Sequence, residues 1–394
     1  MTRNSRIVSQ IDGSDWAFLR KKRRRTYEQG QRPVRLVDLF SGCGGLTLGV
    51  AEACRELGRR LDVRLAIEFV PETWSVYDAN FPASNPGRAS DVFEWFDGKV
   101  GARKTSREKA TLCHVGAATI VVGGPPCQGH STLNNHTRGD DPKNALYERL
   151  VRAAEVLEPE HLVIENVPSL ARDRSGVLAR SVQRLERLGY TVSHGIVRLS
   201  ELGAAQLRSR HVLVATTGAA PTTLVNPAAL RLSRTLRWAI ADLEAAEDLF
   251  DSAGELSPQN ERRARWLLEN NEYDLPNKLR PMCHRDPSHK YKSMYGRLDW
   301  DKPAQTITTG FGSPGQGRYL HPSQLRTLTP HEAARLQFFP DWYDFRSVTK
   351  RKRLQEMVGN AVPPKLGYLL TLDVLSDVKA QPAVGSTAAR SGVR

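Results

Sequence analysis

The chain lacks the features that mark disulfide-stabilised, zinc-binding and membrane-spanning proteins. Its 394 residues include five cysteines, an odd number without a Cys-x-x-Cys pair, which argues against a disulfide framework and against a zinc site. No apolar run is long enough to span a bilayer, and the N-terminus lacks the apolar core of a secretory signal. These absences predict a cytoplasmic protein with no membrane partner, no metal and reduced thiols.

What the chain has in excess is positive charge. The net charge is +14, with 40% hydrophobic and 25% charged residues, as in a globular protein large enough for two domains. Such a balance favours a polyanionic partner, nucleic acid before membrane. Residues 1–35 carry ten Lys/Arg and three Asp/Glu, half of the excess. Residues 1–33 are predicted to be a flexible basic arm that touches phosphates or, alternatively, a solvated tail.

In the first half of the chain, several predicted strands are each followed by a residue suited to ligand binding or catalysis. A strand at Val34–Leu39 leads into a glycine-rich turn and a helix, the opening of a nucleotide-binding α/β unit, although the spacing is not Gly-x-Gly-x-x-Gly. A second strand ends at Glu68, where a ribose diol is typically bound. Asp91 follows a further predicted strand end. Each acidic residue taken alone could equally be a surface carboxylate.

The most informative stretch runs from Val122 to Ser131. An apolar strand ends in two glycines and two prolines, which present Cys127 on a stiff turn suited to a nucleophile. The alternative is a packed, inert thiol. Polar residues 129–144 are predicted to form a mobile loop over the site. Glu165 follows the next strand, so four strand ends, those before Phe40, Glu68, Cys127 and Glu165, predict one site along one edge of a doubly wound parallel sheet.

The second half of the chain is more basic and less regular. Arg208 and Arg210, two apart on extended chain, are predicted to point the same way and to form a fork for phosphate or a base oxygen. Helices are predicted at 228–248 and 260–269, and Pro276–Lys302 mixes seven Lys/Arg and three acids with aromatic residues, a pattern that suits nucleic-acid contacts. Thr329-Pro330-His331-Glu332 predicts a capping box that starts a short helix.

Taken together, the ordered motifs resemble those of bacterial DNA (cytosine-5) methyltransferases. The resemblance runs from residue 36 to 370, and its full ordered set is far more specific than any single piece. The matching stretches are Asp38-Leu39-Phe40-Ser41-Gly42-Cys43-Gly44-Gly45, Gly124-Pro125-Pro126-Cys127-Gln128-Gly129, Glu165-Asn166-Val167, Gln206 to Arg210, Arg326 to Asp341 and Gly359-Asn360-Ala361-Val362-Pro363-Pro364.

The resemblance implies transfer of the methyl group of S-adenosylmethionine to C5 of a flipped cytosine. It implies that Cys127 attacks C6, that protonated Glu165 binds N3 and the amino group, and that Arg210 contacts the base oxygen. Arg208 is expected near the target phosphate or near Cys127, whose thiolate both arginines favour. Cofactor contacts are expected from Phe40, Gly42, Gly44, Glu68 (ribose), Asp91 (adenine) and Asn360 (methionine end). His130 stands where the family commonly has an aromatic residue, and Cys43 is interpreted as a packing residue.

The implied fold is a Rossmann-like methyltransferase sheet with a smaller, irregular target-recognition domain. The expected segments are a catalytic domain at 34–216, a recognition domain at 217–345, returning helices at 346–378 and a disordered tail at 379–394. Double-stranded DNA is the expected substrate of a monomeric enzyme that belongs to a restriction-modification system, with a possible partner endonuclease, or acts alone. Two alternatives remain: a tRNA cytosine-5 methyltransferase, and a non-catalytic DNA-binding protein, against which intact Cys127, Glu165 and Arg210 argue.

Overall fold

The structure is a computed structural model that describes residues 14–27, 29–82, 88–126, 145–172, 175–218, 234–243, 248–285 and 293–376. Cys127, the loop to residue 144 and the tail from residue 377 lie outside the described residues. The helices are α1 (14–19), α2 (Gly45–Glu56), α3 (Pro71–Asn80), α4 (Ser106–Val115), α5 (Ala145–Leu157), α6 (Val177–Arg187), α7 (Leu236–Ile240), α8 (Pro258–Glu269), α9 (Pro330–Leu336), α10 (Arg351–Asn360) and α11 (Pro364–Leu375). The strands are β1 (Pro33–Leu39), β2 (Arg60–Glu68), β3 (Arg88–Ala89), β4 (Ile120–Gly123), β5 (His161–Asn166), β6 (Thr191–Arg198), β7 (Gln206–Leu207), β8 (Ser209–Thr216) and β9 (Ala304–Gln305).

Seven of these strands form one sheet in the order β3-β2-β1-β4-β5-β8-β6. The strands from β3 to β5 are parallel, and β8 inserts antiparallel between β5 and β6. Chain order reverses between β1 and β4, which is the position where doubly wound folds bind ligands. The predicted Rossmann-like fold is confirmed.

The sheet is buried on both faces because its central strands are almost continuously apolar. Val34 and Leu36 of β1 belong to one hydrophobic cluster, whereas Val37 and Leu39 of the same strand belong to a second cluster. Helices α2 and α11 pack together on the first side. Helix α5 contributes to the second side, as expected for a sheet covered by crossover helices.

The predicted recognition region has a small core of its own. Ala264 and Leu267 of α8 pack with Leu275 and Leu320. A two-residue parallel ladder between β7 and β9 connects this region to the strand that precedes Arg208. Residues Leu328–Tyr343, in contrast, contribute to the same cluster as β1 and α2. Ala304, Ile307 and Tyr319 belong to that cluster as well, so burial places no boundary inside the region, and its bounds of 217–345 stay a prediction.

The structure differs from the prediction at the N-terminus. Residues 14–27, predicted as part of a flexible arm, form α1 and a segment whose Leu19 is fully buried. The Leu19 carbonyl accepts a hydrogen bond from Asp341 N at 2.9 Å, and the Tyr27 carbonyl accepts one from Leu61 N at 3.0 Å. Apolar side chains among the basic ones explain this docking, because Phe18, Leu19 and Tyr27 join the main hydrophobic cluster.

Two further elements are close to what their sequences predict. Thr329 accepts a hydrogen bond from Glu332 N at 3.1 Å while Glu332 accepts one from Thr329 N at 2.8 Å, so the capping box is confirmed. The basic stretch from Lys350 predicts a helix that stops at Gly359, and α10 in fact continues through Gly359 to Asn360. No helix among the described ranges has the length and apolar character needed to cross a membrane.

Candidate active site

The register of the parallel strands brings the predicted site residues into one row. Leu39 at the end of β1 is paired with Ile67 of β2 and with Gly123 of β4, and Gly123 is paired with Ile164 of β5. The residues that follow these positions are Phe40, Glu68, Gly124 and Glu165. Because all four come directly after paired positions, they lie side by side along the carboxyl edge, as the sequence predicts.

The turn after β1 is held in a tightly specified shape. Phe40 has a φ of 60°, and Gly42 and Gly44 also have positive φ values, of 57° and 88°. A bulky residue in the left-handed region is uncommon and is typical of ligand-binding turns. A Cβ atom on Gly44 would lie 2.6 Å from the Tyr343 hydroxyl, so a glycine is required there.

Glu68 occupies the next position along the carboxyl edge of the sheet, at the end of β2. Its two carboxylate oxygens accept hydrogen bonds from Gly42 N at 3.0 Å and from Val70 N at 2.9 Å. Burial raises the pKa of Glu68, and these backbone donors oppose the shift. Since each carboxylate oxygen has two acceptor positions, both oxygens retain capacity for the hydroxyl groups of a ligand.

Asp91 lies beyond the same end of the sheet. It follows β3, which pairs with the end of β2 through Glu68 and Ala89. The Asp91 side chain accepts a hydrogen bond from Phe93 N at 3.0 Å and caps a short 3-10 turn. The carboxylate is thereby oriented at the edge of the sheet on the Glu68 side.

A buried network underlies the glycine turn. The Thr47 hydroxyl donates to Asp38 Oδ2 at 2.6 Å and lies 3.1 Å from the Tyr77 hydroxyl. The Asp38 carboxyl is fully buried, and its Oδ1 atom has no hydrogen-bond partner among the described residues. Burial raises the pKa of Asp38 to about 7. Asp38 is the first residue of the family motif that ends at Gly45, whereas Thr47 lies two residues beyond it, and neither was among the predicted site residues.

Glu165 lies at the centre of the edge, and it is buried. Its Oε1 atom is 2.5 Å from Arg210 Nε, a distance typical of an ion pair but without the alignment of a hydrogen bond. A Cβ atom added to Gly124 would lie 3.2 Å from Glu165 Oε2. The adjacent Asn166 side chain donates to the Pro125 carbonyl at 3.4 Å. The backbone that leads to Cys127 therefore passes directly beside the Glu165 carboxylate.

The expected fork of Arg208 and Arg210 is wrong, and Arg208 is not placed for a phosphate contact, whereas its predicted proximity to Cys127 concerns a residue outside the described ones. The Arg208 guanidinium donates to the Ile307 carbonyl at 2.8 Å, to Gly359 at 3.3 Å and to Ala361 at 3.2 Å. The side chain is 2% exposed, so it is unavailable to a phosphate in solution. Arg210 instead pairs with Glu165. The two side chains diverge because Arg208 lies between the short β7 and β8 rather than on one continuous strand.

Two glutamines complete a buried polar cluster with Arg208, defined here as Gln206, Arg208 and Gln337. Gln206 Nε2 donates to Gln337 Oε1 at 2.8 Å and to the Leu336 carbonyl at 2.6 Å. Gln337 Nε2 donates to the Val358 carbonyl at 2.7 Å. This cluster joins β7, the segment after β9, and the ends of α9 and α10.

The loop after α10 returns to the glycine turn. A Cβ atom on Gly45 would lie 2.0 Å from the Val362 carbonyl, and one on Gly124 would lie 3.0 Å from Val362 Cγ2. Val362 therefore lies between the glycine turn and the strand end that precedes Cys127. Asn360 is exposed at the end of α10, two residues before this contact.

The family of the chain follows from comparison with known proteins. A family model described as C-5 cytosine-specific DNA methylase matches residues 34–375, which include every described site residue. The chain belongs to this family. It is a DNA (cytosine-5-)-methyltransferase.

Relatives of this methyltransferase include bacterial type II enzymes. It is 43% identical over 364 residues to the type II methyltransferase M1.BsuMI of Bacillus subtilis, covering 92% of this chain and 85% of that protein. It is 32% identical to the type II methylase M.HgiDII of Herpetosiphon aurantiacus, covering 86% and 94%.

Solved structures support the fold. A mutant of Spodoptera frugiperda DNMT2 is similar with a TM-score of 0.60 and 17% identity, covering 86% of this methyltransferase and 99% of that chain. The Entamoeba histolytica methyltransferase EhMeth is similar with a TM-score of 0.58 and 16% identity, covering 89% and 100%.

Several residues of the site escaped the sequence analysis. Gln337 and Val362 lie far along the chain from the residues they contact, and their place inside two of the matching family stretches was the signal that could have indicated them. Cys127 and His130 lie outside the described residues. The described set nevertheless includes a carboxylate with free acceptor capacity, a strained aromatic turn and a buried carboxylate oxygen without a hydrogen bond, features that fit a bound nucleoside cofactor and a bound base.

Proposed function

We propose that this methyltransferase transfers the methyl group of S-adenosylmethionine to C5 of cytosine in a specific double-stranded DNA sequence, with Cys127 as the covalent nucleophile. The observation that supports this proposal most directly is the buried Glu165 carboxylate, whose Oε1 atom has no hydrogen bond from the described residues. The charge of the carboxylate is paired with Arg210 at 2.5 Å, and the hydrogen-bonding capacity of Oε1 remains available to a ligand. A cytosine presented to Glu165 uses this capacity through N3 and the amino group.

The proposed cofactor site uses the row of strand ends on the Phe40 side. Phe40 and the glycine turn shape the pocket, Glu68 binds the ribose hydroxyls, Asp91 binds the adenine amino group, and Asn360 binds the methionine end. Bound S-adenosylmethionine supplies an electrophilic methyl group on a positively charged sulfur. The described acceptors fit this ligand because Glu68 Oε2 is held at the glycine turn by Gly42 N, while Oε1 is held by Val70 N, and both keep acceptor capacity for hydroxyl groups.

The proposed chemistry follows from the weak nucleophilicity of cytosine C5. The Cys127 thiolate adds to C6, which breaks aromaticity and places electron density on C5. Glu165 in its protonated form donates to N3 and neutralises the charge that develops there, while Arg210 contacts the base oxygen. C5 accepts the methyl group from the positively charged sulfur, which leaves as the neutral thioether of S-adenosylhomocysteine. A base then takes the C5 proton, the C6–S bond breaks to restore the thiolate and the aromatic ring, and N3 returns its proton to Glu165.

The substrate must be flipped out of the duplex, because C5 and C6 are shielded in stacked DNA. We assign target reading to the basic residues of the region from about 217 to 325, which offer contacts to phosphates and to base edges in the major groove. The similarity to enzymes named type II methyltransferases favours a modification role within a restriction-modification system.

Bisulfite sequencing of DNA from cells that express the chain tests this proposal. Cytosines that resist conversion are expected in one short sequence context, and none are expected in matched cells that express the Cys127→Ser variant. The same cells provide tRNA for the alternative substrate. Resistant cytosines in tRNA but not in DNA, or none in either, would overturn the proposal.

A further inference from the structure

The N-terminal strap, defined here as residues 14–27, contacts both halves of the molecule. On one side, Tyr27 OH donates to Glu52 Oε1 of α2 at 2.7 Å, and Arg25 forms an ion pair with the same carboxylate. On the other side, Arg20 Nη2 donates to the Trp238 carbonyl of α7 at 2.8 Å and to Asp242 at 2.6 Å. The strap therefore connects the helix of the cofactor turn with the first described helix of the predicted recognition region.

Asp15 is the centre of this connection. Its carboxylate accepts hydrogen bonds from Lys365 Nζ at 2.8 and 2.9 Å and from Arg234 Nη1 at 2.8 Å. Asp15, Lys365 and Arg234 are all at least 93% buried. Two buried cations that share one carboxylate repel each other when the carboxylate is neutralised, so their relative position depends on Asp15.

Lys365 connects Asp15 with the proposed cofactor site. It lies in the first turn of α11, five residues after Asn360 and three residues after Val362, which touches the glycine turn. Helix α11 packs along α2, the helix that begins at that turn. A displacement of Lys365 is therefore transmitted to the methionine end of the proposed cofactor pocket.

Arg234 connects Asp15 with the proposed recognition region. It directly precedes Thr235, the residue that caps α7. The first backbone N–H groups of this helix pair with recognition-region carbonyls: Leu236 N donates to Lys302 at 2.8 Å, and Arg237 N donates to Trp300 at 2.9 Å. A displacement of Arg234 is therefore transmitted to the basic, aromatic segment around residues 297–302.

We infer that the N-terminal strap is a positioning element that couples cofactor binding to DNA binding, with Asp15 as the residue that carries the coupling. This inference rests on the proposed cofactor and DNA sites and assigns the basic N-terminus an intramolecular role. Lys21, Lys22, Arg23 and Arg24 remain exposed on the strap, so a phosphate contact by them is compatible with it.

The affinity for S-adenosylhomocysteine, measured by calorimetry with and without duplex DNA, tests the inference. The duplex is the methylated context found by bisulfite sequencing. In the wild-type protein we expect saturating duplex to tighten the affinity at least about fivefold, within the usual range of coupling between sites. In Asp15→Asn we expect the enhancement to fall below about twofold. Asp15→Glu, which keeps the charge, is expected to recover part of it.

A matched control separates coupling from loss of a buried ion pair. Glu155 is also a buried carboxylate shared by two arginines, with Arg152 Nη1 at 2.7 Å and Arg184 as the second partner, but all three lie on α5 and α6. Glu155→Gln is expected to lower thermal stability and to retain the wild-type enhancement. An unchanged enhancement in Asp15→Asn, or the absence of any enhancement in the wild type, would overturn the inference.

A second variant covers the case in which Asp15→Asn does not fold. Arg20→Ala releases the strap from α7, while Asp242 keeps its bonds to Arg335 at 3.1 Å and is not left without a cation. It is expected to lose part of the enhancement, and full retention would count against the inference. Methylation of genomic DNA by the wild type remains a separate readout, so failure of the coupling is distinguishable from failure of the proposed function.

Discussion

At the scale of single residues, Glu165 is the buried carboxylate on which the proposed chemistry depends. Glu165→Gln preserves the shape of the side chain but removes the carboxylic acid that we propose as the proton donor to N3. We expect the single-turnover methylation rate to fall by about 10²–10⁴-fold, the usual contribution of a general acid. Duplex binding, measured by fluorescence anisotropy, is expected to change little.

The control for this prediction is Glu201→Gln, which removes a partly exposed carboxylate paired with Arg198. Its methylation rate is expected to match the wild type. A Glu165→Gln rate within about tenfold of the wild type would mean that the carboxyl group does not act as a general acid.

Asp38 makes the stability of the protein depend on pH. Burial raises the pKa of Asp38 to about 7 in the folded chain, whereas an unfolded Asp titrates near its ordinary value of about 3.9. Between these two values the folded state binds the extra proton, so the free energy of unfolding decreases as the pH rises from about 4 to about 7, by at most about 4 kcal/mol.

The Asp38→Asn variant isolates this contribution, because asparagine does not titrate. In urea unfolding at pH 5 and pH 8, we expect the wild type to lose stability relative to Asp38→Asn at the higher pH. A stability difference between the two proteins that is the same at both pH values would contradict the buried, protonated carboxyl.

At the scale of secondary-structure elements, Arg208 holds the ends of three segments together. Arg208→Ala removes the donor to the Ile307 carbonyl and leaves the Gly359 and Ala361 carbonyls with only the longer bonds from Gln337 Nε2, at 3.4 and 3.5 Å. We expect the free energy of unfolding to fall by about 3 kcal/mol or more, because the lost hydrogen bonds are buried and involve a charged donor. Urea unfolding measures this loss. Arg198→Ala, which removes an exposed arginine, is expected to change stability by less than about 0.5 kcal/mol.

The elements also show what the sequence could and could not predict. The strand ends at Leu39, Ile67 and Gly123 were predictable because apolar runs mark buried strands, and parallel register then aligns their ends without further information. The partners of Arg208 were not predictable, since they lie 99, 151 and 153 residues away in the chain. Only the tertiary fold brings those carbonyls to β7.

Helix α7 shows a different reason for failure. An apolar periodic pattern predicted a helix across 228–248, but within the described part the helix covers only Leu236–Ile240. Thr235 caps it, and a turn follows at Ala241. Its apolar side chains are buried against α9 and the N-terminal strap rather than along one long helical face, so the pattern reflected burial and not helix length.

At the scale of the whole molecule, the net charge of +14 predicts how DNA binding responds to salt. Neutralised phosphates release counterions, so the affinity for duplex DNA is expected to fall at least about tenfold between 50 and 200 mM salt. Affinity for S-adenosylmethionine is expected to change far less over the same range. Anisotropy and calorimetry measure the two quantities, and an equal salt dependence for both would argue against an electrostatic DNA surface.

The N-terminal strap is the feature for which the amino-acid composition gave a wrong prediction. Six consecutive Lys/Arg residues, 20–25, indicated a solvated arm, yet Phe18, Leu19 and Tyr27 on either side anchor it. A run of charged residues indicates side chains that face water, but it does not indicate whether the backbone of that segment packs against the rest of the protein. The single acidic residue of this segment, Asp15, was therefore uninformative until its two buried partners were located.

The measurement that tests the central claim most directly is covalent trapping on duplex DNA that carries 5-fluorocytosine at the methylated position. Fluorine at C5 cannot leave as a proton does, so the adduct between the sulfur and C6 persists. Wild-type protein with S-adenosylmethionine is predicted to give a denaturant-stable complex, attached through Cys127 by mass spectrometry, and Cys127→Ser is predicted to give none. A stable complex in Cys127→Ser, or none from a wild-type protein that methylates ordinary DNA, would contradict the account.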